Sequence, residues 1–216
     1  MKIEFRSLVV AHLLAAVVFA PRPAAAQGTL EKFSYDSLGF HGVQAEVGAL
    51  FSSKLETAAV FGLRLHFGEI ASRVRFMAGF SYFKDDLDRA ELARLEQGII
   101  QVVDDPSGTA TVDLGRVRWS DLTFMGDFQY LIVKGHRWMP YIGAGMSVHF
   151  RNGSGPRIAG TVIEDNLDQV QIGLDATAGT DIMLTRSLVL NAGLRGVLTG
   201  SLNTLTLGVG LGYRLP

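Results

Sequence analysis

The chain of 216 residues contains no cysteine, so neither a disulfide framework nor a thiolate metal site can contribute to its fold or chemistry. Charge is scarce as well. Asp, Glu, Lys and Arg make up 19% of the residues and leave a net charge of −1, whereas a soluble domain usually carries about a quarter. Without an excess of positive charge there is no electrostatic footprint for nucleic acid. Long apolar runs are missing too. Mean hydropathy is positive, yet beyond the N-terminus no stretch approaches the ~18 consecutive apolar residues that a spanning helix needs. Apolar content without apolar runs is the signature of strands that cross a membrane, not of helices.

What the chain has instead is 25 glycines and a period of two. Val43, Ala45, Val47, Ala49 and Phe51 alternate with Gln44, Glu46 and Gly48. Strict alternation means a β-strand with two unlike faces. Here the apolar faces are wide and almost free of charge, as lipid requires, and the polar faces are rich in glycine, as a narrow lumen requires. Eight such segments are expected, near 42–51, 58–67, 74–83, 119–132, 139–150, 169–183, 188–198 and 204–214. An open sheet edge cannot survive in hydrocarbon. The expected fold is therefore all-β, a transmembrane antiparallel up-and-down barrel of eight strands.

The single long apolar run lies at the N-terminus. Lys2 and Arg6 flank it, Leu8 to Ala20 form its apolar core, and Ala24-Ala25-Ala26 fits a small-residue cleavage site before Gln27. Pro21 and Pro23 break it too early for a membrane anchor. A signal peptide over 1–26, a periplasmic lead-in over 27–41 and a barrel domain over 42–216 follow. The last strand ends at the C-terminus, so no peptidoglycan-binding module is expected after it.

Connections after the second, fourth and sixth strands are short, the first of them spanning Gly68 to Arg73. Two of the others are long, at 84–117 and 151–168. In the first, Asp86 to Glu96 reads as a short charged helix. Ile99 to Val103 and Thr109 to Leu114 then flank Asp104-Asp105-Pro106-Ser107-Gly108, which reads as a protruding hairpin around a turn. The second reads as a Gly-rich polar loop. Short turns belong to the periplasmic side of such barrels and long loops to the exterior.

Three stretches carry a family resemblance: Pro140-Tyr141-Ile142-Gly143-Ala144-Gly145, the strand and turn from Ala176-Thr177-Ala178-Gly179-Thr180-Asp181 to Arg186, and Leu207-Gly208-Val209-Gly210-Leu211-Gly212-Tyr213-Arg214. With them the chain resembles the OmpA/OmpX-like eight-stranded outer-membrane barrels. The resemblance implies an outer-membrane location in a Gram-negative-type bacterium, contact with lipid and lipopolysaccharide, and insertion by the barrel assembly machinery. Such barrels usually end on an aromatic residue. Here Tyr213 is followed by Arg214, Leu215 and Pro216, and Tyr213 has the strand parity to take that role.

Strand parity turns Glu46, Asp127, Asp175 and Asp181 into the lumen together with Arg64, Arg75, Arg195 and Arg214. Four acids facing four bases suit a self-paired polar plug. The alternative is an ion path through a small-solute channel. A lipid-modifying enzyme is the other alternative. Barrels resembling lipid A deacylase place a His-x-Ser-Asn stretch at the outer rim, and this chain has His149-Phe150-Arg151-Asn152-Gly153, with arginine where serine is needed. His66 reads as a lumen hydrogen-bonding group and His136 as interfacial. Asp104-Asp105 carries too few carboxylates for a calcium loop. Neither a cofactor nor a metal site is expected. Trp119, Trp138, Tyr82, Tyr130 and Tyr141 near strand ends read as aromatic girdles. The resulting expectation is a non-enzymatic structural or surface-interaction protein acting through 84–117 and 151–168 on an unknown extracellular partner.

Overall fold

A computed structural model describes residues 38–102 and 111–215. Eight strands, β1 (Gly42–Ser52), β2 (Ala58–Ala71), β3 (Val74–Asp86), β4 (Arg118–Leu131), β5 (Trp138–Ser154), β6 (Gln169–Met183), β7 (Leu188–Leu198) and β8 (Thr204–Arg214), pair in chain order. All pairs are antiparallel, and β1 closes on β8 with Gly42 opposite Arg214 and Ser52 opposite Thr204. Closure leaves every strand with two neighbours, so no ladder edge is presented to the surroundings.

The alternation divides the residues as the period of two requires. Leu211 is 53% exposed on the outer wall, while its neighbours Gly210 and Gly212 are buried in the lumen. On β4 the odd positions Asp121, Thr123, Met125, Asp127 and Gln129 face inward, and Leu122, Phe124, Phe128 and Tyr130 face outward. Outside, Phe76 and Phe128 pack at 5.2 Å between ring centroids, and Phe124 meets Phe150 edge-on at 6.0 Å. Tyr82, Tyr130 and Trp138 face outward near strand ends. Trp119 and Tyr141 do not belong to that girdle. Both sit at odd positions of β4 and β5, and both are buried inside.

Three further expectations are corrected. The β2–β3 connection is not a turn over 68–73: β2 runs on through irregular pairing at Glu69 to Ala71, and the turn is Ser72-Arg73, with Arg73 at φ 71°. The charged helix is longer and later. Helix α1 (Arg89–Val102) opens after Asp88, whose carboxylate accepts the Ala90 N–H at 2.8 Å. It takes in Ile99, Ile100 and Gln101, so the first arm of the expected hairpin is helical. Leu92, Leu95 and Ile99 recur at helical spacing and pack on one apolar cluster, which outweighs the β-propensity of the isoleucines. The turn at 104–108 lies outside the described residues. Finally, β5 extends to Ser154, so Arg151 belongs to the barrel. The loop that follows is shorter than 151–168 and contains helix α2 (Val162–Leu167).

Candidate functional site

At one end of the barrel the connections after β2, β4 and β6 are short. At the other end lie the segments before β2, β4, β6 and β8. Between the two ends the lumen holds a column of paired charges in three tiers.

In the tier nearest the short turns, Arg75 forms an ion pair with Asp181 and donates through Nε to Gln129 Oε1 at 2.9 Å. Asp181 also accepts from Asn191 Nδ2 at 2.7 Å and lies 3.5 Å from Arg214 Nη2. The Arg75 guanidinium stacks on Tyr141 at 4.9 Å, and the Tyr141 hydroxyl accepts from Asn191 at 3.0 Å.

In the middle tier Asp127 receives Arg195 Nη2 at 2.6 Å and has Arg64 Nη1 at 3.8 Å. Arg64 Nε lies 3.0 Å from Glu46, whose other oxygen accepts from Gln44 at 2.6 Å. Arg195 also rests on the Met125 sulfur. A cavity of about 60 Å³ remains beside Arg64, Arg195 and Tyr141.

The third tier contains residues the sequence reading did not group. Asp121 accepts from Arg151 Nε at 2.8 Å and from Thr123 Oγ1 at 2.8 Å, and His149 Nδ1 lies 3.0 Å from it. His149 Nε2 is 2.9 Å from Ser147 Oγ, which donates to Asp175 at 2.9 Å. Arg151 continues to Gln171 at 3.0 Å and Ser201 at 2.6 Å, and its guanidinium lies 5.6 Å over the Trp119 ring.

Of the eight residues assigned to the lumen, seven are brought into ion-pairing distance of an opposite charge. Asp175 is held by Ser147 instead. Asp121 and His149 were legible from strand parity. Arg151 was hidden by ending β5 too early. A serine does stand beside His149: it is Ser147, two residues before it on the same face, not after it.

Above this tier an apolar cluster packs at the barrel mouth. Leu50, Leu55, Ala58, Val60 and Phe83 from the barrel rim meet Leu87, Leu114, Val117, Trp119, Ile158, Leu167 and Leu202. Ile158 is 0% exposed. Leu92, Leu95 and Ile99 of α1 and Ile163 of α2 pack against the cluster. Polar ties hold it in place. Trp119 Nε1 donates to the Leu167 carbonyl at 3.2 Å, Gly153 N–H to Asp168 at 2.9 Å, and Leu114 N–H to Glu96 at 3.0 Å. On the exposed flank Arg157 forms an ion pair with Asp113. That guanidinium's hydrogen bond, followed by the Gly115 N–H, holds the Asp113 carboxyl below the usual carboxylate range.

A closed eight-stranded wall that is apolar outside and ion-paired inside suits a hydrocarbon surround. A family model for the outer membrane protein beta-barrel domain matches residues 12–214. The chain belongs to that family. Among solved structures it is similar to Neisserial surface protein A, at 18% identity and a TM-score of 0.51 over 82% of this chain and 96% of that one. It is also similar to Ail, the attachment invasion locus protein of Yersinia pestis, at 11% identity and a TM-score of 0.48 over 82% of this chain and 99% of that one. The N-terminal β-barrel domain of Pseudomonas aeruginosa OprF gives 16% identity and a TM-score of 0.46 over 82% and 99%. At such identities the likeness is one of fold. A comparison with curated proteins finds no match. Membership of the outer-membrane barrel family supports an outer-membrane location for this chain and accounts for the apolar outer wall.

Proposed function

We propose that the protein is a non-enzymatic outer-membrane barrel whose capped long-loop end faces the exterior and meets an extracellular partner. In this reading residues 1–26 direct export in a Gram-negative-type bacterium. The barrel assembly machinery then inserts the chain among lipid and lipopolysaccharide. The observation that carries the reading is the cap itself. The described segments over 87–102, 111–117 and 155–168 share one apolar cluster with the barrel rim, so they present a shaped surface.

The enzyme alternative draws on Ser147, His149 and Asp121, which stand in the order of nucleophile, base and orienting acid. Their surroundings oppose that use. Ser147 is 2% exposed, and its hydroxyl proton is directed to Asp175. The β4, β5 and β6 ladders run unbroken past it, which leaves no free pair of backbone N–H groups for an oxyanion. The channel alternative meets a lumen filled with side chains, as expected for a barrel of eight strands.

The test has two arms. Cells expressing the protein and cells expressing a variant with 89–113 replaced by a short Gly-Ser linker are scored for adhesion, and the variant is expected to lose it. Lipid A from cells with and without the protein is compared by mass, and no change is expected. Loss of an acyl chain that disappears in His149→Ala would overturn the non-enzymatic reading.

A further inference from the structure

The short-turn end holds a second cavity, of about 530 Å³, that belongs to neither the plug nor the cap. Its volume falls in the range of small-molecule sites, roughly 300–1,000 Å³. It is a dead end. Gln129 and Asp181, both fully buried, close it above Arg75. A blind cup cannot conduct, but it can bind.

Its charges do not cancel. Lys134 is matched by Glu69 at 2.5 Å. Arg75 and Arg214, however, share the single carboxylate of Asp181, and Arg214 reaches it only at 3.5 Å. Glu69 also faces Arg214, so Lys134, Arg75 and Arg214 share two carboxylates and one positive charge is left over among them, with Arg214 the more exposed guanidinium. His66 lines the same cup. It is 8% exposed, and no side-chain hydrogen bond is formed by its ring within the described structure. An imidazole N–H can donate to an oxyanion held by a neighbouring guanidinium. Leu131 and Met139, both buried, supply apolar wall to the same cup.

We infer that this cup is a binding site for a small organic anion, in which a carboxylate or phosphate is held by Arg214 and His66 and a compact apolar body lies on Leu131 and Met139. The site is independent of whatever the capped end meets and of which side of the membrane it faces.

The experiment uses the folded full-length protein in uncharged detergent micelles. Benzoate and phenyl phosphate are the anionic probes, and benzamide is the neutral counterpart of benzoate. Ligand-observed NMR and a titration of the His66 ring resonances, assigned with His66→Gln, report binding. Benzoate or phenyl phosphate should saturate and shift the His66 resonances, and benzamide should bind at least about tenfold more weakly, the loss expected when a charge-assisted hydrogen bond becomes a neutral one. Arg214→Gln should lower anion affinity by a similar factor, and Arg186→Gln, in an exposed turn, should not. Which anion wins separates carboxylate from phosphate ligands. Absence of saturable binding, equal binding of benzamide, or an unmoved His66 ring would overturn the inference. The His66 readout in the unmodified protein keeps the test decisive even if Arg214→Gln folds poorly.

Discussion

At the scale of single residues, the interior stands on charges that no longer see bulk water. Asp127 is buried and takes its shortest contact from Arg195 at 2.6 Å, with Arg64 farther away at 3.8 Å. Removing one partner of such a pair leaves an uncompensated charge, whereas removing both leaves a polar gap. Arg195→Ala should therefore lower the stability of the folded barrel by about 3–5 kcal/mol, and by less if water enters the space. Adding Asp127→Asn should restore part of it. Urea unfolding in micelles or liposomes measures both. At the exposed flank the pH dependence has a definite sign. The Asp113 carboxyl is held below its usual range by Arg157 and the Gly115 N–H. The tie is therefore complete above the ordinary carboxylate range and is lost as pH falls through the lowered value. The protection of the Gly115 amide against exchange, relative to its intrinsic rate at each pH, should fall on acidification, and Asp113→Asn should remove that response.

At the scale of elements, the two faces of a strand respond oppositely to the same kind of change. Leu207→Arg puts a charge on the outer wall of β8 and should cost about 2–4 kcal/mol near the bilayer midplane. Gly208 faces the lumen with its nearest neighbour, the Val47 carbonyl, 3.3 Å from where a Cβ would stand, so Gly208→Ser should cost much less. Gly143 on β5 is a different case. A Cβ there would meet Thr177 Oγ1 at 2.6 Å and the Phe128 carbonyl at 2.7 Å, and Gly143→Ser should be disruptive where Gly208→Ser is not. In the cap, Ile158→Ala empties a fully buried site and should cost about 2–5 kcal/mol locally. Proteolysis of the exposed end should reveal the loss while the barrel stays intact. Strand number, order and facing were legible because a period of two with one greasy face admits a single closed arrangement. Most of the interior partners followed from the same parity. What escaped depended on tertiary packing. The isoleucines at 99 and 100 favour strands locally and were drawn into α1 by the apolar face that Leu92 and Leu95 begin. Arg151 looked like a loop residue until Asp121 and Trp119 gave it a place inside. Ser147 was overlooked because the expected motif put serine after histidine, and on a strand either side serves.

At the scale of the whole molecule, the wall, the plug and the cap form one statement about function. The outer wall is made for lipid. The lumen carries five buried or half-buried carboxylates against five guanidiniums, all the latter in contact with an acid. An apolar cluster packs above them at the mouth. A conduit would need an unbalanced, hydrated path, and this interior offers a paired column with a cavity of about 60 Å³ at its middle. The most direct test is a planar-bilayer recording of the purified, refolded protein across a salt gradient. The account expects no large, steady conductance, and none induced by voltage of either sign. A steady open-channel current in the unmodified protein, with ion selectivity changed by Arg195→Ala, would contradict it, because the charges would then line a path instead of filling one.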